Sequence, residues 1–321
     1  MTQPADTLTS RPLRIASAAL GEGPVWHEGA LWFVDIEGRS LHRADTATTT
    51  RTDYDAGARI GFAAPTARGD WIVGLQHGLH AWSPGSGTPV LLTDPEPHRP
   101  DNRFNDGKAD PTGRLYAGTL HIPCQEPAAA LYRLDAGATT ARLRTGVTIS
   151  NGLAWDAQAR TMYYTDTPTG RIDAYRWDPD TGDITERRTA FRFTDSQGSP
   201  DGMTIDRDGQ LWIALWGGGA VVRLCPREQR ITAHIAVDAP HVTSCTFGPE
   251  PALPDSDTLG TLYITTARTG LDGSALQRHP RSGDIFVADV RKKTGATGSP
   301  ATPVSIGLDL GRSGAVSSRP R

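Results

Sequence analysis

Short apolar segments with an aromatic residue near their start recur along the chain. Each combines aromatic, β-branched and small residues between turn-forming Gly, Asp or Pro, a pattern that predicts β-strands. Their aromatic residues follow one another at intervals of about 40 to 50 residues. The six segments are LWFVD (31–35), DWIVG (70–74), LYAGT (115–119), MYYTD (162–166), LWIAL (211–215) and LYITT (262–266).

A repeat of this length that contains only short strands is typical of the four-stranded blade of a β-propeller. Helical repeats would place apolar residues at positions i, i+3, i+4 and i+7, and the chain has no such stretch. An irregular β-sandwich is the alternative for an all-β chain with chance similarity among its strands. The pattern favours an all-β, six-bladed propeller over residues 13–292, with a channel along its axis.

The two ends of the chain differ from the repeats. Residues 1–12 are polar and predict a loose N-terminal arm. Residues 293–321 are rich in Gly, Ser, Thr and Pro, and they are either partly disordered or supply a strand that closes the ring. Residues 249–260 predict a loop inserted into the last blade.

Composition narrows the functional classes. The 321 residues carry 33 Lys and Arg against 36 Asp and Glu, so a general nucleic-acid or membrane-surface partner is not expected. No run of 18 apolar residues and no signal-like start occur, and the three cysteines lack a C-x-x-C spacing. We therefore expect a monomer of the reducing cytoplasm without a disulfide framework.

Four polar residues occupy matching positions one strand before an aromatic segment: Glu22, Asn105, Asn151 and Asp201. The last three are each followed five residues later by an Asp that precedes a turn, which supports the common register. The innermost strand of a blade lines the propeller axis, so these side chains should face one another at the channel mouth.

Such a cluster predicts a metal ion. Two carboxylates in a narrow channel repel each other, and neither ionises easily without a cation. Glu, Asn and Asp offer only oxygen ligands, which suits Ca²⁺, Mg²⁺ or Mn²⁺, with Fe²⁺ or Zn²⁺ as further choices. Three or four protein oxygens leave coordination positions free for a substrate, as a catalytic metal requires.

Five segments in order closely resemble the gluconolactonase/regucalcin family, also called senescence marker protein or SGL, whose members are six-bladed propeller lactonases. The resemblance extends from about residue 15 to residue 290. The segments are LGEGPVW (20–26), RFNDGKADPTGRLYAGTL (103–120), SNGLAWD (150–156), PDGMTIDRDGQLWIALWGGG (200–219) and LYITTA (262–267).

The resemblance implies one divalent metal held by Glu22, Asn151 and Asp201, and it implies substrate contacts from Arg103 and Asn105. Asp106 and Lys108 complete the same motif with less defined parts, and Asp106 is taken as a further substrate contact. Animal members carry acidic residues after the A-G-T motif, where this chain has HIPCQEP (121–127). His121 is the candidate for the lost contact, and the change bears on substrate choice.

The activity that the resemblance implies is hydrolysis of an aldono-1,4- or 1,5-lactone, such as glucono-, xylono- or arabinonolactone. Asp201 would act both as a metal ligand and as the general base. One alternative is a phosphotriesterase-like hydrolase of the same propeller type. Another is a calcium-binding propeller without enzymatic activity.

Overall fold

Six four-stranded antiparallel units follow one another along the chain in the computed structural model, which describes residues 5–15 and 17–305. The innermost strand of each unit contacts the innermost strand of the next unit. The innermost strand of the sixth unit contacts the innermost strand of the first. The units therefore close into a ring around a central channel. This arrangement confirms the predicted all-β, six-bladed propeller.

Two short strands precede the first blade: β1 (Asp6–Thr9) and β2 (Arg11–Pro12). Blade 1 contains β3 (Gly21–His27), β4 (Ala30–Asp35), β5 (Ser40–Asp45) and β6 (Thr50–Asp55). Blade 2 contains β7 (Ile60–Pro65), β8 (Trp71–Leu75), β9 (Gly78–Trp82) and β10 (Val90–Thr93). Blade 3 contains β11 (Asn102–Ala109), β12 (Leu115–His121), β13 (Ala129–Asp135) and β14 (Thr139–Val147).

Blade 4 contains β15 (Ser150–Asp156), β16 (Thr161–Asp166), β17 (Arg171–Trp177) and β18 (Ile184–Arg192). Blade 5 contains β19 (Ser199–Ile205), β20 (Leu211–Trp216), β21 (Ala220–Cys225) and β22 (Arg230–Ala236). Blade 6 contains β23 (Val242–Gly248), β24 (Thr261–Thr266) and β25 (Phe286–Asp289). The helices are α1 (Gly273–Arg278) and α2 (Arg291–Thr294), with single 3₁₀ turns at Ala136–Ala138, Thr167–Thr169 and Asp195–Gln197.

Each aromatic segment forms the second strand of its blade, as its spacing predicts. These strands are buried almost completely, because neighbouring blades cover both of their faces. The rings of Tyr116, Trp212 and Tyr263 are fully buried. Burial of rings of this size contributes about 2–3 kcal/mol each, so the repeated aromatic residue is a main source of blade-to-blade packing energy.

The N-terminal residues complete two blades, and the prediction of a loose arm over residues 1–12 is wrong for the described part. β2 pairs antiparallel with β25 and is the outermost strand of blade 6, while β1 pairs parallel with β22 as a fifth strand of blade 5. Leu8 packs into the core at 2% exposure, so one apolar residue in a polar stretch is enough to dock the strand.

The C-terminal residues that the structure describes bridge three blades. Thr297 O accepts from the backbone N–H of Arg207, and the backbone of Val304 bonds to Pro65 and Ala67. Residues 299–302 line one end of a channel cavity of about 570 Å³. The strand that completes blade 6 and closes the ring is β2, so the C-terminal segment up to residue 305 does not supply the closing strand. The prediction also covers residues 306–321, which lie outside the described residues.

Within residues 5–15 and 17–305, no helix has the length and apolar character needed to cross a bilayer.

The docking of β1 predicts a stability difference between neighbouring residues. Leu8→Ala should lower the free energy of unfolding by about 2–3 kcal/mol, because it removes buried apolar surface. Thr7→Ala, at an exposed position of the same strand, should change it by less than about 0.5 kcal/mol. Denaturant unfolding of both variants provides the comparison, and equal effects would mean that β1 is not docked.

Candidate functional site

All six innermost strands are irregular at the same level, near the end at which they begin. The pairing with the second strand shifts between Glu22 and Val25 in β3 and between Asn151 and Leu153 in β15. Equivalent shifts occur in β7, β11, β19 and β23. A bulge redirects side chains away from the regular alternation of a strand. The bulges of blades 1, 3, 4 and 5 carry the four predicted polar residues.

A close backbone approach accompanies the bulge in blade 4. A Cβ atom on Gly152 would lie 2.6 Å from the carbonyl oxygen of Asp201 in blade 5. Real Cβ atoms do not come this close to backbone, so only glycine fits. The N-G sequence thereby brings the Asn151 strand against the Asp201 strand.

Hydrogen bonds fix the orientation of the Asn151 amide. Thr167 Oγ1 donates to the carbonyl of Pro200 (2.8 Å), so it must accept from Asn151 Nδ2 (2.9 Å). Asn151 Oδ1 then faces the other way and accepts from Asn105 Nδ2 at 3.0 Å. The second N–H of Asn105 donates to the carbonyl of Ser150 (2.8 Å). Asn151 therefore presents a fixed carbonyl oxygen in the buried mouth of the channel.

Arg103 continues this chain of hydrogen bonds. Its Nη1 donates to Asn105 Oδ1 (2.7 Å) and to the carbonyl of Phe104 (2.9 Å). The guanidinium is almost fully buried, and burial lowers the pKa of Arg103 to about 10. Its other N–H groups have no hydrogen-bond partner among the residues that the structure describes, whereas both N–H groups of Asn105 are used within the protein.

His121 lies at the rim end of β12, opposite Asn102 in the strand register. The residue is partly exposed, but its Nδ1 is buried and has no hydrogen-bond partner in the part of the chain that the structure describes. The structure thus brings His121 within one residue of the Arg103 register position, at the same end of the channel.

Three buried carboxyl groups at the channel mouth have raised pKa values. Burial, reinforced by the nearby Asp106, raises the pKa of Glu22 to about 8. Burial and the negative charges of Glu22 and Asp106 raise the pKa of Asp201 well above its usual value. Burial also raises the pKa of Asp106, although Lys108 opposes the shift. These three carboxyl groups at the channel mouth therefore cannot all be ionised together without a cation.

Lys108 lines the channel cavity between blades and is partly buried. Its Nζ donates to the carbonyl of Met203 at 2.6 Å, which links blade 3 to blade 5. Burial lowers the pKa of Lys108, and the charge of Asp106 opposes this effect. One ammonium group therefore compensates part of the carboxyl charge in the channel.

The carboxyl group of Asp201 is 95% buried or more, and its Oδ1 has no hydrogen-bond partner among the described residues. An unpaired buried carboxylate oxygen is unfavourable unless a cation or a proton meets it. No group of three His, Cys, Asp or Glu side chains suited to a metal occurs in the described ranges. The predicted set contains two carboxylates and one amide, so a metal site remains a proposal.

Sequence reasoning did not single out the two residues that hold or flank this cluster. Thr167 orients Asn151, and it lies in a turn whose sequence, TPT, resembles other turns of the chain. His241 stacks on Trp216 at the ring-closing side of blade 5, with ring centroids 3.9 Å apart. A rim histidine beside a tryptophan has no recognisable sequence spacing.

Comparisons with known proteins agree with the fold. The chain is 36% identical over 275 residues to a Bacillus subtilis (strain 168) protein, YvrE, whose name proposes a sugar lactone lactonase; the match covers 85% of this chain and 92% of that protein. It is 34% identical to regucalcin of Danio rerio, covering 83% and 89%. A solved structure of regucalcin, a calcium-binding protein from Agrobacterium tumefaciens, has a TM-score of 0.84 at 25% identity, covering 94% and 99%.

The family model described as SMP-30/Gluconolactonase/LRE-like region matches residues 20–268, which include all six innermost strands. Because this match spans more than half of the chain and agrees with the relatives in both sequence and fold, the protein belongs to the SMP-30/gluconolactonase/LRE-like family.

Proposed function

We propose that the protein is a metal-dependent hydrolase that opens an aldono-1,4- or 1,5-lactone, such as glucono-, xylono- or arabinonolactone, to the aldonic acid. The observation that carries the proposal is the buried pair Glu22 and Asp201 at the mouth of the channel, with an Asp201 oxygen that has no hydrogen-bond partner among the described residues. The lactonase named among the relatives supports the reaction class.

The residues present fit a divalent cation. Glu22 and Asp201 supply carboxylate oxygens. The hydrogen bond from Asn151 Nδ2 to Thr167 fixes the amide, so that the carbonyl oxygen of Asn151 faces away from Thr167. An oxygen-only set suits a hard ion such as Ca²⁺, Mg²⁺ or Mn²⁺ and also accommodates Zn²⁺ or Fe²⁺. When bound, such an ion would polarise the ester carbonyl and compensate the negative charge that develops on its oxygen.

Asp201 is the proposed general base. Burial raises the pKa of Asp201 in the metal-free protein. With a cation held by one carboxylate oxygen, the other oxygen would accept the proton of the attacking water. The oxygen of water forms a bond to the ester carbon while its proton moves to the Asp201 carboxylate. The ring C–O bond then breaks, and the same proton passes to the ring oxygen, which leaves as the hydroxyl group of the aldonic acid.

Arg103 is the proposed donor to the hydroxyl groups of the lactone, and Asn105 holds both Arg103 and Asn151 in place. Because both Asn105 N–H groups are already used, its part in substrate binding is that of an acceptor through Oδ1. His121 and Asp106 complete the proposed contacts. Hydrogen bonds from buried, fixed groups orient a substrate at little entropic cost.

The first prediction concerns catalysis by Asp201. Asp201→Asn should lower metal-dependent lactone opening at least about 100-fold, because the general base is lost. Asp156→Asn is the matched control: Asp156 lies at the other end of β15, outside the candidate site, and should retain activity within about twofold.

The assay measures acid release with a pH indicator on metal-stripped protein. Pentono- and hexonolactones are tested with and without added Ca²⁺, Mg²⁺, Mn²⁺, Fe²⁺ or Zn²⁺, against spontaneous opening. If no lactone opens faster than its spontaneous rate with any metal, the proposal fails. Metal binding without turnover would instead favour a calcium-binding propeller, and turnover of phosphotriesters alone would favour the phosphotriesterase alternative.

A second prediction follows from the raised pKa of Glu22. In the unfolded chain this carboxyl ionises near its ordinary value of 4.5, but in the metal-free folded protein it does so near 8. A raised folded pKa stabilises the protein at low pH, and this contribution is lost as the pH rises from about 4.5 to 8. At pH 8 with a chelator, Glu22→Gln should be more stable than the parent by at least about 1 kcal/mol.

Unfolding at pH 5 and pH 8, with and without divalent metal, provides the measurement. Metal should stabilise the parent more than Glu22→Gln, because the cation binds the ionised carboxylate only in the folded state. Glu250→Gln, an exposed substitution of the same kind, should show no such difference. Equal metal effects on Glu22→Gln and the parent would exclude Glu22 as a ligand.

A further inference from the structure

A salt bridge at the channel mouth is not used by the mechanism proposed above. Arg59 Nε donates to Glu37 Oε2 (3.1 Å), and Arg59 Nη2 lies 3.1 Å from the same oxygen. The side chains of Arg59 and Glu37 are 35% and 36% exposed, so solvent reaches both of them. Glu37 Oε1 and Arg59 Nη1 have no hydrogen-bond partner among the residues that the structure describes.

The strand register places Glu37 at the mouth end of blade 1. Glu22 on the innermost strand pairs with Val34 near the end of β4. Glu37 lies two residues beyond β4, in the turn that leads to β5. The backbone N–H of Ile36 donates to the carbonyl of Leu20 (3.0 Å), which holds this turn against the start of the innermost strand.

Arg59 stands at the mouth end of blade 2. It directly precedes β7, the innermost strand of that blade. A Cβ atom on Gly61 would lie 2.4 Å from the carbonyl oxygen of Phe104 and 2.6 Å from that of Asn105 in blade 3. A Cβ atom on Gly23 in blade 1 would lie 3.8 Å from the carbonyl oxygen of Gly61. The start of β7 is therefore enclosed between the innermost strands of blades 1 and 3.

The bulge of blade 2 contributes no polar side chain to the channel. The pairing of β7 shifts between Ile60 and Phe62, at the level where blades 1, 3, 4 and 5 carry the polar residues of the candidate site. Ile60 is fully buried, and Gly61 has no side chain. Arg59 is the residue directly before this bulge, and its ion pair joins Glu37 of blade 1 to the same sector of the mouth.

The charges of the ion pair act on Arg103, the proposed donor to the lactone hydroxyl groups. Burial lowers the pKa of Arg103 to about 10, and the negative charge of Glu37 opposes this shift while the positive charge of Arg59 adds to it. Such effects weaken with distance, so the pair lies on the Arg103 side of the mouth.

We propose that Glu37 and Arg59 form a diol-binding pair, in which Glu37 Oε1 accepts from one hydroxyl group of the lactone and Arg59 Nη1 donates to a neighbouring hydroxyl group. This inference rests on the proposed lactonase function and specifies how that site selects polyhydroxylated lactones. A hydroxyl group both donates and accepts, so a fixed acceptor beside a fixed donor matches two adjacent hydroxyl groups. Because each side chain of the pair already holds the other, less conformational freedom is lost on binding.

The first test removes the donor. Arg59→Met should raise KM for glucono-1,5-lactone about tenfold, which corresponds to about 1.4 kcal/mol, and change kcat by less than about twofold. Arg59→Lys keeps a charged donor and should retain part of the affinity. Arg176→Met is the matched control: it removes an ion pair of the same kind, with Glu186 at 3.0 Å on the outer strands of blade 4, and should leave KM unchanged.

A second variant removes the acceptor. Glu37→Leu should also raise KM for glucono-1,5-lactone about tenfold, with kcat within about twofold of the parent. Unchanged KM in Arg59→Met or Glu37→Leu, or an equal rise in Arg176→Met, would overturn the diol-binding pair. A lower kcat and a lower free energy of unfolding at unchanged KM would mean that the two residues only brace blades 1 and 2.

A binding measurement distinguishes failure of the pair from failure of the lactonase proposal. Glucono-1,5-lactam carries the same hydroxyl groups but has an amide that resists hydrolysis. Calorimetric titration with added Ca²⁺ should give about tenfold weaker lactam binding in Arg59→Met and Glu37→Leu than in the parent and Arg176→Met. Any binding of δ-valerolactam, which has no hydroxyl groups, should be equal in all four proteins.

Each outcome of the titration has one meaning. If the expected pattern holds without hydrolysis of any lactone, the diol-binding pair stands and the lactonase proposal fails. Metal-dependent hydrolysis with equal binding of glucono-1,5-lactam in all four proteins would overturn the pair alone. Weaker binding of both lactams in the pair variants would show general damage to the mouth and would also overturn the pair. No lactam binding and no hydrolysis in the parent would overturn both proposals.

Discussion

The structure depends most on the close approach of neighbouring innermost strands at the channel mouth. Six strands can meet around one axis only where their backbones come nearly into contact, and Gly152 shows the limit: a Cβ there would lie 2.6 Å from the Asp201 carbonyl oxygen. The bulges occur at this same level in all six blades. At Gly152 and Gly202, the glycine that follows the polar residue therefore serves both ring closure and the direction of that side chain.

This convergence places carboxyl groups where they are poorly solvated. Glu22, Asp106 and Asp201 share one buried region, and the charges of Arg103 and Lys108 both oppose the raised pKa of Glu22. A metal-free mouth must then hold protons on some of these groups, at a loss of stability as the pH rises. The fold tolerates this loss of stability because the buried aromatic second strands stabilise the packing of the blades without involving the channel residues.

The sequence was sufficient for the repeats and for the register of Glu22, Asn105, Asn151 and Asp201, because aromatic segments recur at a regular spacing and the last three polar residues are each followed five residues later by an Asp. It was insufficient for the N-terminal strands: β1 has a single buried residue, Leu8, and its partner is more than 200 residues away. Thr167 and His241 were missed for a similar reason. Their roles arise from contacts between blades, which no local pattern records.

The positions of these residues suggest a division between two parts of the mouth. The residues proposed to bind metal and ester project from bulges inside the ring, where a shift in one strand would disturb its neighbours on both sides. Glu37, Arg59 and His121 instead lie where strands begin or end, next to turns that can change without altering the ring. The reaction would thus depend on inner-strand residues that the closure of the propeller holds in place, whereas the choice among lactones would depend on residues at the rim. A chain with the same inner residues and a different rim should then keep the reaction and change its substrate.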